Sequence, residues 1–126
     1  MSTYTEFLAQ KTQLTTGDGF PPTHLPDYLF DFQQHLVDWA TRMGRSAIFA
    51  DCGTGKAVMA LTWAQNVHAH TGRPVLVVAP LAVTFQLEVE AAKFGADAAV
   101  SRDGTPTAPI TITNYERLER FTPGQF

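Results

Sequence analysis

The sequence has a single cysteine, Cys52, and so lacks the second thiol that an internal disulfide would need. An unpaired thiol fits a reducing environment, and we therefore expect a cytoplasmic location. No apolar run approaches the length needed to cross a membrane, and residues 1–10 lack the basic and apolar pattern of a secretory signal. The sequence therefore predicts no membrane partner.

Positive charge is also scarce, because 9 Lys and Arg residues stand against 12 Asp and Glu residues and the formal net charge is −3. A free-standing DNA-binding domain more often carries a basic face. Any contact with nucleic acid must therefore come from a few placed groups or from parts of a larger protein. The 126 residues, 44% of them hydrophobic, suffice for one small globular domain with a core.

The chain divides into two segments. Residues 3–14 have apolar side chains at helical intervals after a capping-box pattern, which predicts a short N-terminal helix. Residues 15–26 are rich in Gly, Pro and Thr and predict a loop. We therefore assign residues 1–28 to an N-terminal helix and loop, and residues 29–126 to the main domain.

The main domain alternates helical and strand patterns. Asp31 and Gln34 have capping-box spacing, Gly44 is a typical helix stop, and the helix between them has an apolar stripe of Phe32, Leu36, Ala40 and Met43. Apolar runs predict strands at residues 46–50, 75–79, 98–100 and 110–113. Further helices are predicted from Lys56 to about Ala69, over 83–94 before Gly95, and after a cap at Asn114. This alternation predicts an α/β fold with a parallel sheet covered by helices, in which ligands bind at the carboxyl ends of the strands.

A degenerate phosphate-binding loop connects the first predicted strand to its helix, in the residues Ala50, Asp51, Cys52, Gly53, Thr54, Gly55, Lys56 and Ala57. Glycines let backbone N–H groups surround phosphate oxygens, the helix N-terminus favours an anion, and Lys56 offers a cation. Ala50 replaces the usual first glycine, and Ala57 replaces the Ser or Thr that normally binds Mg²⁺. The alternatives are an ordinary glycine turn for the loop and, for Cys52, either a reactive thiol or a small residue that fills the turn.

Three further motifs accompany the loop. Residues 29–33, Leu-Phe-Asp-Phe-Gln, combine aromatics with Gln33, whose amide can both donate to and accept from adenine. Residues 77–83, Val-Val-Ala-Pro-Leu-Ala-Val, and residues 112–116, Ile-Thr-Asn-Tyr-Glu, each follow the pattern of a strand and its carboxyl end. Each also has a simpler interpretation, since Gln33 would serve as an exposed helix residue, Pro80 as a strand end and Asn114 as a helix cap.

In their order and spacing these motifs resemble the Q-motif, motif I, motif Ia and motif Ib of superfamily-two DEAD/DEAH-type helicases, with an Asp51 typical of the Snf2-like branch. The resemblance implies a P-loop NTPase domain of RecA-like, three-layer αβα architecture, incomplete and preceded by a short helix. It implies ATP binding, with Mg²⁺ in the full family, by Phe32, Gln33, Asp51, Cys52, Gly53, Thr54, Gly55, Lys56 and Ala57. It implies nucleic-acid contacts from Pro80, Leu81, Thr113, Asn114 and Tyr115.

The resemblance also implies that the Walker B carboxylates, motif III and the second RecA-like domain lie beyond Phe126. The first hypothesis is therefore part of an ATP-dependent DNA helicase or translocase that is not catalytic alone and acts with the remainder of the motor. The alternative is a nucleotide-binding or decoy protein that has lost catalysis and pairs with a helicase or nuclease-helicase partner. Ala57 favours the alternative, and the abrupt C-terminal sequence favours the first hypothesis.

Overall fold

The structure, a computed structural model, describes residues 19–48 and 55–126. Within these ranges the α-helices are α1 (Asp31–Met43), α2 (Lys56–Thr71) and α3 (Leu81–Lys93). The strands are β1 (Val75–Val78), β2 (Ala98–Val100) and β3 (Ile110–Thr113). Two 3-10 helices, Tyr115–Arg120 and Pro123–Gln125, complete the described chain.

The three strands form a parallel sheet in the order β1-β3-β2. Val75 and Ala98 both pair with Ile110, one from each side, so β3 is the central strand. All four residues of β3 are buried, as expected for a strand with neighbours on both edges. The predicted α/β class with a parallel sheet is confirmed.

The hydrophobic core lies between one face of this sheet and the two helices α2 and α3. Because side chains alternate along a strand, Ile110 and Ile112 point to the same face as Val75. Leu61 of α2 and Leu87 of α3 pack against them in one buried cluster. This packing holds the N-terminus of α2, where the predicted phosphate loop ends, close to the sheet.

The N-cap of α1 lies one residue before Asp31, the position that the sequence predicted. Phe30 is the N-cap, and the side chain of Gln33, not Gln34, accepts a hydrogen bond from its backbone N–H at 2.9 Å. The predicted apolar stripe was wrong at Phe32, which is 47% exposed, and right at Ala40, which is buried. The other buried residues of α1 are Gln33, Val37 and Thr41. Gly44, at φ 81°, ends the helix as predicted.

Two other predicted elements differ from the structure, and a third lies outside the described residues. Ser46–Ile48 do not form a strand and are exposed, and the remainder of the predicted strand 46–50 lies outside the described residues. The segment after Asn114 is a 3-10 helix, although Asn114 caps it as predicted by accepting a hydrogen bond from the Arg117 N–H at 2.9 Å. The predicted N-terminal helix lies wholly outside the described residues.

Candidate functional site

An open cleft of about 320 Å³ lies where the N-termini of α1 and α2 meet the last turn of α3. Its walls are formed by Tyr28, Phe30, Gln33, Gly55, Val58, Glu90, Lys93 and Phe94. The cleft therefore combines aromatic rings, one amide side chain, one acid and one base around the first turn of α2.

Gln33 is the most deeply placed polar residue of this cleft, with only 5% of its surface exposed. A glutamine on a surface helix is normally solvated, and its burial here has a local cause. Its Oε1 accepts the Phe30 N–H at 2.9 Å, which satisfies a backbone donor at the start of α1 and turns the side chain inward. The interpretation of Gln33 as an exposed helix residue is therefore wrong.

Gly55 lies directly against this amide. It is the N-cap of α2, it has a left-handed backbone at φ 77°, and a Cβ there would stand 2.2 Å from Gln33 Nε2. Only glycine meets both demands, because an L side chain is disfavoured at this φ and would also overlap the glutamine. The candidate Q-motif and the end of the candidate phosphate loop thus meet at one point of the fold.

The side chains at the first turn of α2 point in different directions. Lys56 is exposed, while Ala57 is partly buried against the core. Lys56 helps to line a neighbouring, largely apolar groove of about 330 Å³, together with Val37, Ala40, Gly44, Ser46, Ile48, Met59, Ala60 and Trp63. Ala57 offers no oxygen to a metal ion. The predicted site residues Asp51, Cys52, Gly53 and Thr54 lie outside the described residues.

The aromatic residues that line the cleft differ from Phe32, which the sequence predicted. Phe32 does not line it, whereas Tyr28 and Phe30 do. The Tyr28 ring lies 4.9 Å from that of Phe94, between centroids, which joins the segment before α1 to the end of α3. A signal for Tyr28 was present, since it is an aromatic residue beside the Q-motif candidate. Glu90, Lys93 and Phe94 are distant in sequence, and only the packing of α3 reveals them.

The predicted nucleic-acid residues gather at the carboxyl ends of β1 and β3. The Ala79 N–H donates to the Thr113 carbonyl at 3.0 Å, so Pro80 and Leu81 lie beside Asn114 and Tyr115. Pro80, Leu81 and Tyr115 are exposed. Thr113 and Asn114 are buried, and the Thr113 hydroxyl has no hydrogen-bond partner among the described residues.

Acidic groups accompany the basic ones at this edge of the sheet. Arg102 lies just after β2, with its guanidinium carbon 6.0 Å from the Phe85 ring centroid. Hydrogen bonds from Thr105, first among them that of its backbone N–H, hold the pKa of the exposed Asp103 carboxyl below its ordinary value. Arg102 and Asp103, adjacent in the sequence, thus bring opposite charges to the chain just after β2.

No protein-family model matches this chain, and a search of curated proteins found no match. Within residues 19–48 and 55–126 no three His, Cys, Asp or Glu side chains are grouped so that they could hold a metal ion. None of the helices in the described part of the chain has both the length and the hydropathy of a membrane span.

Proposed function

We propose that this chain binds an adenine nucleotide, preferably ATP, in the cleft that Gln33 and Gly55 line together. The single observation that carries this proposal is the contact between these two residues, which belong to motif candidates well separated in the sequence. The sequence of neither motif requires the other motif to lie next to it in the folded structure. Their meeting at the start of a helix, beside aromatic rings, supports a base site next to a phosphate site.

Each part of the cleft has a distinct task in this proposal. The face of the base lies against Tyr28 or Phe30, and the Gln33 amide recognises the base edge. The phosphates lie at the N-terminus of α2, where the first backbone N–H groups have no acceptor within the helix and the helix dipole favours anions. Lys56 is exposed at that same terminus and supplies the nearby positive charge.

The broader role that we propose is the nucleotide-binding part of an ATP-dependent DNA helicase or translocase of superfamily two. The exposed Pro80, Leu81 and Tyr115 would then face the DNA strand from the carboxyl edge of the sheet. The 126 residues contain no Asp-Glu pair, and Ala57 provides no metal ligand. Phosphoryl transfer needs metal, water positioning and charge neutralisation together, so this chain alone would bind ATP without hydrolysing it.

Titration calorimetry with ATP and GTP tests the proposal, with Lys56→Ala as the phosphate-site variant. Lys93→Ala removes a second lysine, which lines the cleft from the last turn of α3. We expect ATP to bind more tightly than GTP, and Lys56→Ala to weaken both nucleotides more than Lys93→Ala does. Absence of ATP binding to the unaltered chain would refute the proposal.

A second candidate function is that of a catalytically inactive partner for a helicase or nuclease-helicase. It is favoured by Ala57 and by an apolar stripe on α3, where Leu81, Phe85 and Val89 follow at four-residue intervals and all are exposed. Sedimentation of the chain with such a protein distinguishes the two candidates, since only the second requires a complex that persists without nucleotide.

A further inference from the structure

The segment before α1, residues 19–30 and here called the strap, crosses the α1–α2 pair before it reaches the cleft. At its start the Phe20 N–H donates to the Thr41 carbonyl at 3.1 Å, and the Phe20 ring stacks on His70 with centroids 3.8 Å apart. Gly19 lies so close to α1 that a Cβ would stand 2.1 Å from the Arg42 carbonyl oxygen. At its end the strap carries Tyr28 and Phe30 into the cleft wall.

Asn66 fixes the middle of the strap. This residue of α2 is fully buried, and its Oδ1 accepts the backbone N–H groups of Thr23 at 2.9 Å and His24 at 2.8 Å. Its Nδ2 donates to the His24 carbonyl at 2.7 Å and to the Thr62 carbonyl at 2.9 Å. All the hydrogen-bonding positions of the side-chain amide are therefore used.

This arrangement requires a side-chain carboxamide. The site needs one group that accepts two hydrogen bonds and one that donates two, which is the inventory of a carboxamide. An aspartate at position 66 would place oxygen against the His24 and Thr62 carbonyls, and an alanine would leave two strap N–H groups without this partner. Asn66 does not line the cleft, so its influence on a ligand must pass through the strap.

Gln34 of α1 is a second side chain that holds the strap, because its Nε2 donates to the Pro26 carbonyl at 3.4 Å and to the Leu29 carbonyl at 3.2 Å. Residues 19–26 contain no helix or strand, and Pro21, Pro22 and Pro26 carry no backbone N–H. The Leu29 N–H donates to the Pro26 carbonyl at 3.1 Å and closes the turn that bears Tyr28. Because this turn begins two residues after His24, the position of His24 determines where Tyr28 lies. The Tyr28 ring then reaches Phe94 of the opposite wall.

We propose that Asn66 is a positioning residue that sets the base-binding wall of the cleft by holding the strap at Thr23 and His24. This inference rests on the proposed nucleotide site. It predicts that two parts of the ligand depend on different parts of the protein. Binding of the base depends on the strap, whereas binding of the phosphates at the N-terminus of α2 does not. Loss of the Asn66 contacts therefore weakens binding of a ligand with a base more than binding of one without it.

Competition titrations of ATP and tripolyphosphate against Asn66→Ala test this separation. We expect about a tenfold loss of ATP affinity, the scale of one lost base–aromatic stack, with tripolyphosphate affinity unchanged within about twofold. Val67→Ala is the matched control, because it truncates the next side chain of α2, which packs on the core. It should lower the melting temperature and leave the ratio of the two affinities unaltered.

Hydrogen exchange on the unaltered chain provides a test that does not depend on the folding of a variant. ATP should slow exchange of the Thr23 and His24 amides, and tripolyphosphate should not. The role of Asn66 is overturned if Asn66→Ala loses affinity for ATP and tripolyphosphate equally, or for neither. It is also overturned if ATP leaves the exchange rates of the Thr23 and His24 amides unchanged. If the unaltered chain binds no ATP, the proposed function itself fails and this inference fails with it.

Discussion

Among individual residues, Gly55 and Gln33 make the most specific contact of the cleft. Gly55→Ala should destabilise the fold by both a strained left-handed alanine, about 1–2 kcal/mol, and overlap with the glutamine. Gly72→Ala is the matched control, since Gly72 has φ 70° and a Cβ there would meet nothing within 4 Å. Urea denaturation should show the larger loss for Gly55→Ala, and adding Gln33→Ala should recover part of it. Equal losses for the two glycine variants would show that the contact has no energetic weight.

The identity of the bound base also depends on Gln33. Its amide can donate to one atom of adenine and accept from another, a pattern that guanine does not offer in the same places. We predict that Gln33→Glu, which keeps the size and an acceptor for the Phe30 N–H, reduces the preference for ATP over GTP. Nucleotide competition measures this ratio, and an unchanged ratio would remove Gln33 from the base site.

Because Ala57 offers no oxygen to a metal ion, we predict that the affinity of the unaltered chain for ATP depends little on magnesium. Ala57→Thr introduces the hydroxyl that the common phosphate-loop motif carries at this position, so ATP should bind more tightly in Mg²⁺ than in EDTA, by no more than about 1.5–3 kcal/mol. Ala57→Val has the same shape without the oxygen and should behave like the unaltered chain. Strong magnesium dependence in the unaltered chain would mean that another residue supplies the ligand.

At the level of helices and strands, the sequence predicted the elements well and their orientation less well. Gly44 and Gly95 marked helix ends, and the β-branched runs of β1 and β3 marked buried strands. The burial of α1 could not be inferred from apolar spacing, because a hydrogen bond to the Phe30 N–H turns Gln33, not Phe32, inward. The residues of the opposite wall of the cleft could not be predicted from the sequence either, because their position depends on how α3 packs.

One backbone donor on the outer edge of β2 is bonded by a side chain. Glu88 of α3 accepts the Val100 N–H, which points away from β3, at 2.8 Å. Such contacts protect a strand edge against further pairing. We predict that Glu88→Ala lowers the free energy of unfolding by about 0.5–1.5 kcal/mol, as measured in urea. Glu119→Ala removes the same charge at another exposed position, and an equal effect there would assign the loss to charge alone.

For the molecule as a whole, we expect nucleotide binding without turnover. We predict that DNA-stimulated ATP hydrolysis by this chain does not exceed that of a Lys56→Ala variant. The reason is chemical, because the 126 residues supply neither the paired carboxylates nor the hydroxyl that would hold a catalytic metal. Release of phosphate, measured with and without DNA, is the assay. Turnover that depends on Lys56 would require a different catalytic apparatus.

The proposed function places the base of ATP in the cleft that joins the strap, α1 and α3. Photolabelling with 8-azido-ATP, followed by mass spectrometry of the peptides, locates the base within the chain. We expect label within residues 28–33 or 90–94, and its loss when unlabelled ATP competes. Competed label confined to other parts of the chain would show that the base binds elsewhere.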